Sequence, residues 1–122
     1  MGVECRIYFN TSFRTSMFEK DISRFFDEGY CELYGAGNLK TVMDSIDGEF
    51  VYIYQNNLKI DVDAYGNKLR TYPLKFVLEK IKDTYRYYLN GNKSSLTVCI
   101  GILESILQNS SNQDPIVMLY FH

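Results

Sequence analysis

Tryptophan is absent, histidine occurs once, as His122, and no stretch approaches the ~20 consecutive apolar residues of a membrane-spanning helix. Each absence removes a class of function. Without an internal histidine, a serine or cysteine nucleophile has no obvious base to activate it. His122 is the last residue given, where fraying is expected rather than fixed geometry. Lysine and arginine form no long run, and the formal net charge is −2. Nucleic-acid binding, which needs a basic track along the phosphates, is therefore not expected. Cysteine is scarce and odd in number: Cys5, Cys31 and Cys99, with no C-x-x-C spacing. That pattern speaks against a disulfide scaffold or a zinc site, and for three inert thiols in the core of a protein of the reducing cytosol. The opening Met1-Gly2-Val3-Glu4-Cys5 has no signal-peptide character. Arg6 stands where a myristoylation signal needs Ser or Thr. The expectation is a single cytoplasmic domain over 1–122, bound to no membrane and carrying no cofactor or metal.

What the chain does have is tyrosine, 11 of them, within a composition that is otherwise ordinary for a globular domain. A tyrosine joins an apolar ring to a polar tip and suits half-buried sheets and contact surfaces alike. Several fall in the stretch from Gly48 to Gly91, around which the rest is organised. There Glu49–Gln55 and Leu58–Ala64 flank Asn56-Asn57, two residues that tolerate positive φ, as a type I′ hairpin requires. A two-residue turn fixes register, setting Val51 opposite Val62 and Ile53 opposite Ile60 on one side. On the other side Phe50, Tyr52 and Tyr54 oppose Asp63, Asp61 and Lys59. Gly66-Asn67 has the glycine-first order of a type II′ turn, which would set Arg70 against Asp63 and Tyr72 against Asp61. Pro73 then opens a helix whose stripe runs Leu74, Val77, Leu78, Ile81, Tyr85, Tyr88, Leu89.

Elsewhere, alternation from Val3 to Phe9 predicts a first strand, followed by a polar loop over residues 10–15. Ser16 and Glu19 form a capping box ahead of a helix bearing Phe18, Ile22, Phe25 and Phe26. Tyr30–Tyr34 reads as a strand. Leu39, Val42, Met43 and Ile46 fit a short helix capped by Asn38, with a strand as the alternative. Residues 95–108 match a helix or, through Leu96, Val98, Ile100 and Ile102, a strand, with length favouring the helix, and Ile116–Phe121 reads as a strand covered on both faces. The fold class is α+β: a mostly antiparallel sheet, built from a meander at 49–72 and the terminal strands, with helices packed on one face.

Three sites compete. If the helices cover the Val51/Ile53/Ile60/Val62 side, then Phe50, Tyr52, Tyr54, Lys59, Asp61, Asp63, Arg70 and Tyr72 share an exposed aromatic and acidic face. Such a face suits capture of a protein or self-association as a homodimer. This points to a non-enzymatic binding or inhibitor domain, in its specific form an immunity-type protein neutralising a basic toxin or nuclease. The alternative is a small-ligand or nucleotide site at Gly35, Gly37, Asn38, Lys40 and Thr41, where a glycine turn meets a helix start. A third reading pairs Asp61 with Asp63 as the carboxylates of a hydrolase; salt bridges to Lys59 and Arg70 are the plainer use.

Overall fold

The computed structural model describes residues 2–14, 29–86, 94–111 and 115–122. They form β1 (Cys5–Arg14), β2 (Tyr30–Leu33), α1 (Gly37–Asp44), β3 (Glu49–Phe50), β4 (Ile53–Gln55), β5 (Leu58–Ile60), β6 (Arg70–Pro73), α2 (Leu74–Thr84), α3 (Ser94–Asn109) and β7 (Pro115–Phe121). The helix expected from Ser16 falls outside the described residues, as do Tyr88 and Leu89.

Five strands make one antiparallel sheet in the order β2-β1-β7-β6-β3, while β4 and β5 form a separate two-stranded ribbon. The α+β class and the antiparallel sheet are as the sequence predicts. β7 lies at the sheet centre, so its unbroken apolar run is needed on both faces. Val117, Leu119 and Phe121 point to the helices, and Ile116 and Met118 to the reverse side. β1 continues to Arg14 where a polar loop was expected, with a register shift between Asn10 and Arg14.

On the helical face, Cys5, Ile7, Leu33 and Tyr72 join the β7 residues against Leu39 and Met43 of α1, Val77 and Ile81 of α2, and Leu96, Cys99 and Leu103 of α3. The α1 and α2 stripes are those read from sequence, although Ala36, not Asn38, precedes the first turn of α1. Residues 95–108 are helical, as length favoured. Pro73 sits one position earlier than expected. It is the N-cap of α2, with φ −58° and ψ 136°, and still pairs with Ile116 as the last residue of β6.

The reverse face holds the main correction. The Val51/Ile53/Ile60 side, expected beneath helices, packs instead on the sheet's other face, against Tyr8, Ile116, Met118 and Leu69. That face is therefore not bare at its middle. The cause lies in the path of Glu49–Gln55. It begins as the edge strand, Glu49 opposite Thr71 and Phe50 opposite Arg70, and the Val51 amide bonds the Leu69 carbonyl at 3.0 Å. The chain then curls over the sheet, carrying Val51 and Ile53 inward while Phe50, Tyr52 and Tyr54 remain on the outside of the curl. Gly48 allows the tight entry: a Cβ there would stand 2.7 Å from the Tyr72 ring and 2.9 Å from the Thr71 carbonyl.

The Asn56-Asn57 turn forms as predicted, with φ of 52° and 65°, Ile53 opposite Ile60 and Tyr54 opposite Lys59. The pairing stops there, and Val51 does not reach Val62. The expected Gly66-Asn67 two-residue turn is replaced by a longer loop in which Val62 pairs with Lys68. Asp63 causes the change. Its Oδ1 accepts from the amides of Tyr65 at 2.9 Å and Asn67 at 3.0 Å, a side chain competing with the ladder for backbone donors.

Candidate interaction surface

The curl leaves one side of residues 50–60 turned outward. Phe50 is 57% exposed and Tyr54 51%. Tyr52 meets Tyr54 edge to face at 5.3 Å between ring centres. Cations lie over the rings: the Lys59 ammonium is 4.5 Å from the Tyr52 centroid, and the Arg70 guanidinium 5.2 Å from that of Phe50. Such contacts hold long side chains against aromatic faces at a gain of about 0.5–1 kcal/mol each when exposed. Arg70 is fixed further by the Ile46 carbonyl, to which its Nη1 donates at 2.8 Å. Asp61 completes the surface, bound by Lys68 at 2.9 Å, and that hydrogen bond holds its carboxyl below the usual range. At the ribbon's tip Leu58 is 67% exposed.

Phe50, Tyr52, Tyr54, Lys59, Asp61 and Arg70 are thus brought together. Tyr72 and Asp63 are not. Pairing with Val117 commits Tyr72 to the helical core, where it is 5% exposed with its hydroxyl 3.4 Å from the Ile46 carbonyl. Asp63 is 6% exposed and spent on its own loop. Both line an open cleft of about 170 Å³ beside Asp44, Lys68 and Arg70. Asp61 and Asp63 are held by different partners, an arrangement unlike a pair of hydrolytic carboxylates flanking one bond.

At the turn from Gly35 to Thr41, several of the groups expected to meet an anion have partners within the chain. The Tyr85 hydroxyl donates to the Gly35 carbonyl at 3.1 Å and accepts from the Leu39 amide at 3.3 Å. Lys40 turns along the helix to Asp44 at 2.9 Å, and the Thr41 hydroxyl donates to the Gly37 carbonyl at 3.1 Å. Gly35, at φ +65°, and Asn38 border a cavity of about 220 Å³ with Leu33, Tyr34, Tyr85, Ser95 and Leu96.

Sequence reasoning missed a second cluster at the opposite edge of the sheet. Glu32 accepts from Arg6 Nε at 2.9 Å and from the Tyr34 hydroxyl at 3.0 Å, and Arg6 lies 4.8 Å over the Tyr30 ring. His122 is not frayed: its amide and carbonyl exchange hydrogen bonds with Glu4 at 2.9 and 2.8 Å. Its Nε2 stands 3.9 Å from Glu4 Oε2 and 3.8 Å from Glu32 Oε1. Among the described residues, Glu4, Glu32 and His122 are the one group close enough to hold a metal ion. The Arg6 guanidinium opposes that use, because it already neutralises Glu32 and would repel an incoming cation. Alternation along β1 and β2 was the available signal, since it puts Arg6 beside Glu32 once the strands pair.

No family model, curated protein or solved structure matches the chain. Among the described residues no helix is long and apolar enough to cross a membrane.

Proposed function

We propose that this chain is a non-enzymatic protein-binding domain that engages its partner through the outer side of the 50–60 curl. The observation that carries the reading is the exposure of Phe50 and Tyr54 in one continuous run with Tyr52, on the outer side of a segment whose inner side covers the middle of the sheet's reverse face. None of the three rings belongs to either core cluster of the described residues, and adjacent exposed aromatics of this kind are the anchors that interfaces use. The inhibitory form of the proposal is that the partner is held rather than transformed. Lys59 and Arg70 sit over the rings while Asp61 is neutralised by Lys68, so the patch offers cations on an aromatic floor. That local chemistry suits a partner presenting carboxylates. The immunity-type form of the proposal, with a basic toxin, rests on the net charge of −2 and gains nothing from the patch itself.

The test compares the wild-type chain with the double variant Phe50→Ser/Tyr54→Ser as bait, alongside its melting curve. Loss of a specifically bound protein at unchanged melting temperature is the expected result. A variant that keeps the same bound protein, or a wild-type chain whose sedimentation and capture show neither partner nor dimer, would remove the reading.

A further inference from the structure

The three cysteines are not equivalent, and two of them are placed for chemistry that the binding surface does not use. Cys31 on β2 and Cys99 on α3 are 68 positions apart in sequence, yet their sulfur atoms lie 3.6 Å apart in the helical core. Both thiols are free and buried. We infer that Cys31 and Cys99 form an oxidation-sensitive pair that closes to a disulfide, locking α3 onto the sheet.

The geometry requires little. A disulfide has sulfurs about 2.05 Å apart, so the pair must approach by about 1.5 Å, within reach of side-chain rotation and a small shift of α3. Cys5, on β1, takes a different course, its thiol directed to the Arg6 carbonyl at 3.7 Å. The cavity beside Gly35 is lined by Leu33, two residues along β2 from Cys31, and Leu96, one helical turn before Cys99. The cavity thus borders the same strand and the same helix that carry the pair. The hydrogen bond with Cys99 draws Cys31 below the ordinary thiol range against the effect of burial, and the same bond with burial pushes Cys99 up. The sulfur that accepts this hydrogen bond is the one stabilised as a thiolate and set to react first.

With hydrogen peroxide as oxidant the steps balance. One thiol of the pair gives its proton to solvent, and its thiolate attacks one peroxide oxygen, giving a sulfenic acid and a hydroxide that takes up that proton as water. The second thiol then attacks the sulfenic sulfur, and the sulfenic oxygen leaves with the second thiol's proton as water. Overall, two thiols and one peroxide yield one disulfide and two waters, the sulfurs oxidised and the peroxide reduced.

The purified chain is exposed to graded hydrogen peroxide, denatured in an alkylating agent and weighed. The expected product has lost two mass units, retains one alkylatable thiol and gives a Cys31–Cys99 linked peptide. Cys5→Ser should cross-link as the wild type does, whereas Cys31→Ser and Cys99→Ser should not. Because the bond closes a long loop, the oxidised wild type should melt roughly 5–15 °C higher. Three intact thiols under peroxide that oxidises free cysteine would overturn the inference. So would a bond through Cys5, or sulfinic acids without a cross-link; the wild-type result decides even if a serine variant fails to fold.

Discussion

The Tyr85 hydroxyl stands between the Gly35 carbonyl and the Leu39 amide, 3.1 Å from one and 3.3 Å from the other. One side chain from the end of α2 thereby satisfies a buried donor in the first turn of α1. Tyr85→Phe keeps the ring but strands that amide, at an expected cost of about 1–3 kcal/mol. Chemical denaturation measures it. The same contact occupies the Leu39 amide, and with Lys40 held by Asp44 nucleotides are expected to leave the wild-type melting temperature unchanged; a nucleotide-dependent rise would support the phosphate reading of Gly35, Gly37, Asn38, Lys40 and Thr41.

The two sides of the 50–60 curl should respond differently to truncation. Ile53→Ala removes buried methyl groups from the reverse core and should destabilise by about 2–5 kcal/mol. Tyr54→Ser, on the exposed side, should change stability by about 0.5 kcal/mol or less. Equal losses in urea titrations would mean that the outer rings are structural.

How much of this was legible in the sequence depends on how far each contact reaches along the chain. Asn56 and Asn57 announce their own turn, because positive φ is a property of those two residues and their immediate flanks. The stripe of α2 is legible for the same reason. Tyr72 was not. Its alternation matches an exposed face equally well, and only its pairing with Val117, 45 positions away, assigns it to the core. Val51 likewise has two apolar strands within reach, and the local reading chose Val62 where the fold chose Leu69. At Asp63 the pattern failed through competition: a carboxylate two residues before an available amide made a loop where the ladder would have made a strand. The residues that the fold does bring to one surface are Phe50, Tyr52, Tyr54, Lys59 and Asp61, on or beside the one hairpin whose turn was identified correctly, and Arg70, set opposite Phe50.

Asp63 itself gives a third prediction. Asp63→Ala leaves the amides of Tyr65 and Asn67 without their acceptor, and should cost about 1–3 kcal/mol. Asp63→Asn retains an acceptor oxygen and should cost less. Hydrogen exchange at those two amides reads the effect directly, and unchanged protection in Asp63→Ala would show that the loop stands without the carboxylate.

Acid should loosen the opposite edge. The Arg6 hydrogen bond holds the Glu32 carboxyl below its ordinary range. A folded-state value below the unfolded one means that the contribution is present above about pH 4.3, the ordinary glutamate value, and is lost as pH falls through the lower folded value. The pair is partly exposed, so its worth is about 0.2–1 kcal/mol. Glu32→Gln should therefore lower stability slightly at pH 7 and match the wild type near pH 2. A difference that persists undiminished in acid would assign the effect to packing.

β7 is the last of the seven described strands to emerge during synthesis, yet it separates β1 from β6 and supplies side chains to both interiors. Until residues 115–121 have cleared the ribosome, the pair β2–β1 and the pair β6–β3 share no neighbour, and neither apolar face has its floor. A nascent chain stalled before Pro115 should thus be protease-sensitive along its whole exposed length, and the domain should acquire resistance in one step as its keystone arrives.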